Sequence, residues 1–341
     1  MTALRKMQEV ALDDGGLFWE DFTVGQVLTF GHCELSRESI IAFAREYDPQ
    51  PFHIDEQAAR LTMLTGLAAS GWHVCTVFMR MLHDGLLSRC RFAGLYAIDE
   101  IKWRIPVRAG DQLGCRVTCL GTNPQSGRPG HGLCDFHCEA LDARGRTVMS
   151  WWLQLQFARR DGFGDSGVIF ERERRPSTVA RLPGDQAIKF FEDVCPGDEI
   201  MLGSYAFSAE RVVAFNKHYG PQPIHPDATP DGLSTSGWHV TAICMQRLVR
   251  YYIREAQKLR AVGRPVPQLG PSPGIKHLHW HRPVNHADDI LTFSCWAERK
   301  VEVTSKPGWG VLVAGIDVRN QHNECVVSFY PQLFLERRTK V

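Results

Sequence analysis

Apolar positions along this chain follow two periods, helical and alternating, and the same succession of periods is written twice. The segments "SRESIIAFAREY" from Ser36 and "SAERVVAFNKHY" from Ser208 carry apolar residues at helical spacing. Each opens on a serine that can cap a helix by accepting from the exposed N–H groups of the first turn. Further on, "ASGWHVCTVFMRML" from Ala69 matches "TSGWHVTAICMQRL" from Thr235. Both are long apolar stretches without turn residues, and they predict a helix buried on most sides. "IDEIKWRIPVRAGDQL" and "IKHLHWHRPVNHADDI" then share Trp-x-x-Pro-Val, the end of a strand entering a turn. The segments "GCRVTCL", "LCDFHCEALD" and "RTVMSWWLQLQF" in the first half read as strands separated by Gly, Asn or Asp turns, as do "LTFSCWAERK", "WGVLVAGIDVRN" and "ECVVSFYPQLFL" in the second.

The pattern predicts an α+β protein in which each half has an antiparallel sheet and one buried helix. The halves are joined by "ARRDGFGDSGVIFERERRPSTVARLPGDQ", rich in Gly, Pro and charge, which puts the boundary near residue 175 and the domains at 1–175 and 176–341. A single sheet around one helix would leave an open edge. Pairing two such units edge to edge closes it, so a covalent pseudo-dimer is expected, alone or paired again as a homodimer.

Length changes this picture little, since 341 residues suit two domains. The formal net charge of +1 offers no electrostatic footprint for nucleic acid or a membrane surface. No apolar window is long enough to span a bilayer, and "MTALRKMQEVALDDGG" lacks the features of a signal peptide. Eleven scattered cysteines then fit the reduced thiols of a cytoplasmic protein.

The candidate chemistry sits in a repeated phrase, "YDPQPFHID" at 47–55 and "YGPQPIHPD" at 219–227. The prolines predict an extended, rigid loop after the short helix. Asp48 of the first copy becomes Gly220 in the second, whereas His53 and Asp55 persist as His225 and Asp227. A carboxylate and an imidazole so spaced can share one water and exchange proton-transfer roles. Asp55 and Asp227 occur in both halves and read as turn or capping residues. His73 and His239, likewise repeated, read as packed helix histidines.

This order of elements resembles the MaoC-like dehydratases, the (R)-specific enoyl-CoA hydratases of the hotdog fold. The resemblance covers nearly the whole chain once per half and implies a double hotdog. It places the family's acid and base on Asp48 and His53, activating water for addition to a trans-2-enoyl-CoA. It places the glycine whose N–H binds the thioester oxygen on Gly71, where the lack of a side chain leaves close approach open. A serine found in some members falls on Met79, which removes a hydroxyl that would orient the pair. The degenerate C-terminal half is implied to make room for the acyl chain.

The resemblance implies an acyl-CoA thioester as substrate, and no other cofactor and no metal are expected. Ser70 reads as a helix cap with a possible second role at the substrate carbonyl. Lys102, Arg104 and Arg108 are candidates for the coenzyme A phosphates, against the plainer reading of a solvated basic face. His277, His279, His281 and His286 are spaced like metal ligands, but the matching first-half stretch carries Glu100, Lys102 and Arg104, an ordinary polar strand face. Cys115/Cys119 and Cys134/Cys138, four apart on strands, lie roughly 13 Å apart, too far to share a metal. Two other functions use the same elements: a hotdog acyl-CoA thioesterase, which would release free thiol, and a non-catalytic acyl-CoA-binding protein.

Overall fold

The computed structural model describes residues 16–124, 130–160, 162, 177–220, 234–285 and 289–338. The first half runs β1 (Val27–Glu34), α1 (Arg37–Tyr47), α2 (Pro51–Ile54), α3 (Glu56–Arg60), α4 (Gly71–Gly85), β2 (Phe92–Trp103), β3 (Gln112–Asn123), β4 (His131–Asp142) and β5 (Thr147–Ala158). The second runs β6 (Leu182–Pro183), β7 (Asp198–Ala206), α5 (Ala209–Tyr219), β8 (Ser234–Thr235), α6 (Gly237–Ala261), β9 (Gly274–Trp280), β10 (Val284–Asn285), β11 (Ile290–Glu302), β12 (Trp309–Arg319) and β13 (Cys325–Glu336). The expected boundary near residue 175 lies outside the described residues.

Capping serines start the helices as their sequence position predicts. Ser36 accepts from the Ser39 N–H and Ser208 from the Arg211 N–H, at 3.1 and 3.3 Å. The repeated phrase departs from expectation: residues 51–54 form a helical turn, α2, rather than extended chain. Proline breaks a helix interior because it lacks an N–H and crowds the preceding turn. Pro51 occupies the first turn of α2, where neither defect matters.

Eleven strands form one sheet in the order β1-β3-β4-β5-β2-β9-β13-β12-β11-β7-β6, while β8 and β10 form a small separate pair. From β9 to β7 the order is that of the first half read backwards, so the halves meet edge to edge at β2 and β9. There Ile98 faces Leu278 and Ile101 faces Ile275. The junction needs a glycine, because a Cβ at Gly274 would lie 2.4 Å from the Ile101 carbonyl oxygen.

One contiguous apolar core extends through both halves. Within it α4 buries Phe78 against Trp151, ring centroids 4.8 Å apart. Cys115, Cys119, Cys134 and Cys138 are buried strand residues, and burial raises the pKa of each thiol. On β9 a bulge with His277 at φ 52° interrupts the alternation that would align the histidines. His281 Nε2 lies 2.8 Å from the Ser328 hydroxyl, and His286 lies outside the described residues.

Candidate active site

The end of α1 places Asp48. Its N–H donates to the Ala44 carbonyl, closing the helix, and its backbone then turns out of the helical region (φ −147°, ψ 67°). The single turn α2 brings His53 back toward it. His53 Nδ1 is 2.7 Å from the Ala68 carbonyl oxygen. A carbonyl only accepts, so Nδ1 carries the hydrogen, and Nε2 is the nitrogen turned to Asp48 Oδ2, 3.3 Å away. Asp48 and His53 are 3% and 5% exposed, so solvent does little to screen the pair.

Two further donors hold the carboxylate. Gln50 Nε2 donates to Oδ1 at 2.9 Å, and the Ser70 hydroxyl donates to Oδ2 at 2.7 Å. Ser70 also caps α4, accepting from the Trp72 N–H at 3.3 Å. The missing hydroxyl inferred from Met79 is therefore supplied from another position. Met79 is buried in the α4 core, and Ser70 at the helix start reaches the acid instead. Gln50, repeated as Gln222 in the second copy of the phrase, is a partner of the acid to which nothing in the sequence alone pointed.

Gly71 opens α4 beside this pair. Among the described residues its N–H has no hydrogen-bond acceptor, as befits the first position of a helix. The reason for glycine differs from the expected one. The indole of Trp103 occupies the space over Gly71, so a Cβ would fall 2.5 Å from its Cε2, and Trp103 Nε1 donates to the Gly71 carbonyl at 3.1 Å. Gly237 repeats this arrangement under Trp280, where a Cβ would fall 2.4 Å from Nε1. The glycine is thus an element of the scaffold that both halves keep.

A cavity of about 220 Å³ opens on the pair and on Gly71. The second half supplies Cys244, Met245, Leu248 and Phe329 to its wall, while Trp72, Trp103 and Val107 come from the first. Of the three basic candidates only Arg104 lines it, exposed, with Nε donating to Ser150 at 3.2 Å. Lys102 is paired with Glu100 at 2.7 Å and lies over the Trp152 ring. Arg108 is a structural clamp rather than a phosphate ligand: its guanidinium donates to the carbonyls of Leu64, Gly66 and Leu67, fixing the loop ahead of α4.

Among the described residues the second half has no counterpart of the Asp48–His53 pair. Gly220 ends α5, and His225 and Asp227 lie outside the described residues. His239 stacks on Phe215 at 4.2 Å and His73 on Phe43 at 4.7 Å, the packed positions their repetition suggested. Burial depresses both imidazoles, His73 to about 4, with the charge of His53 contributing, and His239 to about 3. Asp55 caps α3, accepting from the Ala58 N–H at 2.8 Å.

Two helix-centred sheets joined edge to edge, with a buried Asp–His pair on one side among the described residues, define a double hotdog protein. The family model for the MaoC like domain matches residues 21–131. Over the full length the fold is similar to a protein from Chloroflexus aurantiacus described as a MaoC domain dehydratase, at TM-score 0.73 and 13% identity, covering 96% of this chain and 100% of that one. It is also similar to Rv0216 of Mycobacterium tuberculosis, described as having a double hotdog fold, at TM-score 0.68 and 16% identity, covering 95% and 100%. YdeM of Bacillus subtilis (strain 168), an uncharacterized protein, is 29% identical over 107 residues, 31% of this chain and 75% of that one. Residues 21–131 thus carry a MaoC like domain, and the fold over the full length is the double hotdog of these structural neighbours. Among the described residues no helix is long and apolar enough to cross a membrane.

Proposed function

We propose that this protein reversibly adds water to a trans-2-enoyl-CoA, forming the (R)-3-hydroxyacyl-CoA, with Asp48 and His53 as the acid–base pair. The observation that carries the reading is the buried His53 Nε2–Asp48 Oδ2 contact of 3.3 Å on the wall of a cavity that also exposes Gly71. With Nδ1 committed to Ala68, Nε2 is the ring atom available to a water held between the two groups. Gln50 and Ser70 each donate to the Asp48 carboxylate, which fixes its orientation.

In the forward direction the water oxygen bonds to C3 as the pair removes one of its protons. The electron pair of the C2–C3 double bond moves toward the thioester, and C2 then receives a proton from the pair. Negative charge gathers on the thioester oxygen, where the Gly71 N–H at the positive end of α4 stabilises it. Carboxylate and imidazole supply both proton transfers, so the reaction calls for no metal or redox group. Arg104 at the cavity wall is the group for a coenzyme A phosphate.

The test is the ultraviolet absorbance of trans-2-enoyl-CoA mixed with the protein, with thiol release followed in parallel. Loss of absorbance without free thiol, abolished in Asp48→Asn, is the expected result. Thiol release would establish a thioesterase. Tight binding with unchanged absorbance across acyl lengths would establish a binding protein.

A further inference from the structure

Beside the cavity onto which Asp48 and His53 open lies a second one, of about 100 Å³, lined entirely by residues of the C-terminal half. Leu248 of α6 and Leu333 of β13 line both, so these two side chains form a shared wall. The inner space is mostly apolar, with Leu269, Leu312 and Ala297 among its lining, and it has room for about three groups the size of a water molecule. Its polar and charged lining comprises Asp185, Lys189, Asp198, Tyr251 and Tyr252. Tyr251, one helical turn beyond Leu248, is 2% exposed, and its hydroxyl has no hydrogen-bond partner among the described residues. A buried hydroxyl is ordinarily paired, because desolvating it without a partner is costly. In α4 the position matching Tyr251 is Gly85, the last residue of that helix, whereas α6 continues to Ala261.

We propose that the two cavities are consecutive compartments of one acyl tunnel, with Leu248 and Leu333 as the constriction. The inner compartment receives the distal end of an acyl chain that carries an oxygen there, as a hydroxyl or keto group, hydrogen-bonded by Tyr251. This rests on the thioester reading of the outer site and adds a substrate class to it. The class is an enoyl thioester whose chain extends past the constriction and ends in a neutral oxygen function. The apolar lining disfavours a terminal carboxylate, whose charge would be desolvated there with no cation dedicated to it: Lys189, the cation on that wall, is already paired with Asp185 and Asp198 at 3.2 and 2.9 Å.

The test compares three trans-2-enoyl-CoA substrates: a short one, an extended one ending in methyl, and an extended one ending in hydroxyl. For each, kcat/KM is measured with the wild type, with Tyr251→Phe and with Ala297→Leu, which fills the inner compartment only. The wild type should prefer the hydroxyl-ended chain to its methyl counterpart by about tenfold, the worth of one hydrogen bond in a dry pocket, and Tyr251→Phe should erase that ratio. Ala297→Leu should lower kcat/KM for both extended substrates relative to the short one. Calorimetric binding of the corresponding saturated thioesters to the same proteins reads the tunnel without chemistry. If no substrate is hydrated yet binding follows these ratios, the hydratase reading fails and the tunnel stands. If the short substrate turns over but neither variant moves the ratios, the tunnel is overturned and the outer site stands. Thermal unfolding of each variant identifies one that fails to fold, and the other variant then decides.

Discussion

The two halves share one plan and differ at a few positions that divide the labour between them. Where α1 ends in Asp48, α5 ends in Gly220, so among the described residues the first half alone holds a carboxylate at this position. Where α4 fills its sheet with Phe78 packed on Trp151, α6 presents Cys244 at the matching position, and Phe329 stands on β13 where Trp151 stands on β5. The cavity accordingly lies on the side of the smaller residues. One half keeps the acid and a filled interior, while the other gives up the acid and keeps space. Because the join at β2 and β9 is continuous, the space of one half opens onto the chemistry of the other.

The sharpest way to break this comparison is to remove the acid and try to restore it on the other side. Asp48→Asn should lower kcat by on the order of 10³, with little change in stability, since the amide keeps the shape of the side chain. Adding Gly220→Asp to that variant should recover nothing. A Cβ at Gly220 would lie 2.7 Å from both Cα and the carbonyl oxygen of Asn216, and the backbone there (φ −65°, ψ 137°) differs from that of Asp48. Activity in the double variant above that of Asp48→Asn alone would show that the halves are interchangeable.

A second experiment sets the halves side by side through pH. His73 and His239 are both held neutral by burial, with values of about 4 and about 3 against an ordinary 6.5. As pH falls through 6.5 the unfolded chain takes up protons that the folded chain refuses. Stability is therefore full above 6.5 and is lost as pH drops toward the folded values. By pH 5 each ring should cost about 2 kcal/mol. Urea unfolding at pH 7.5 and pH 5 measures this, and His239→Leu should remove about half of the acid-side loss. An unchanged loss in that variant would mean that the destabilising protons bind elsewhere.

Much of this organisation is readable before any coordinates. The doubled helix–strand pattern foretells the mirrored sheet, and the Asp48–His53 spacing foretells a pair, because both depend on residues close in sequence. What escaped depends on long connections. Ser70 lies 22 residues from Asp48, and only the laying of the α4 N-terminus against the end of α1 makes its hydroxyl a partner of the acid. Arg108 looks like any basic side chain of a turn until the loop from Leu64 to Leu67 folds back onto it. The glycine opening α4 is explained by Trp103, 32 residues later, and not by the substrate. The turn at Pro51 was misjudged for a local reason, since proline's effect depends on whether it stands first in a helix or inside one.

The glycines offer a smaller but more discriminating effect. Gly71→Ala and Gly237→Ala each drive a methyl into an indole, at 2.5 Å from Trp103 and 2.4 Å from Trp280. Overpacking of this kind should destabilise both variants by about 2 kcal/mol in urea unfolding. Only Gly71→Ala should also lower kcat, by shifting the N–H that faces the developing charge. Equal losses of kcat in the two would mean that the Gly71 N–H has no special place in the reaction.

The smallest expected effect separates capping from chemistry within one residue type. Ser70 and Ser236 each accept from the N–H two residues on, at 3.3 Å, and each starts the long helix of its half. Ser236→Ala should therefore lose about 1 kcal/mol of stability, the ordinary worth of an N-cap, and Ser70→Ala more than that. Ser70 alone also donates to a buried carboxylate, and hydrogen bonds to charged groups are worth about 1.5–3 kcal/mol. If the carboxylate must be held in place to move a proton, Ser70→Ala should lower kcat about tenfold or more while Ser236→Ala leaves it within experimental error. A kcat loss confined to Ser70→Ala assigns the hydroxyl to positioning Asp48. Matched kcat values would reduce it to a cap, and the asymmetry between the halves would then rest on Asp48 and Gly220 alone.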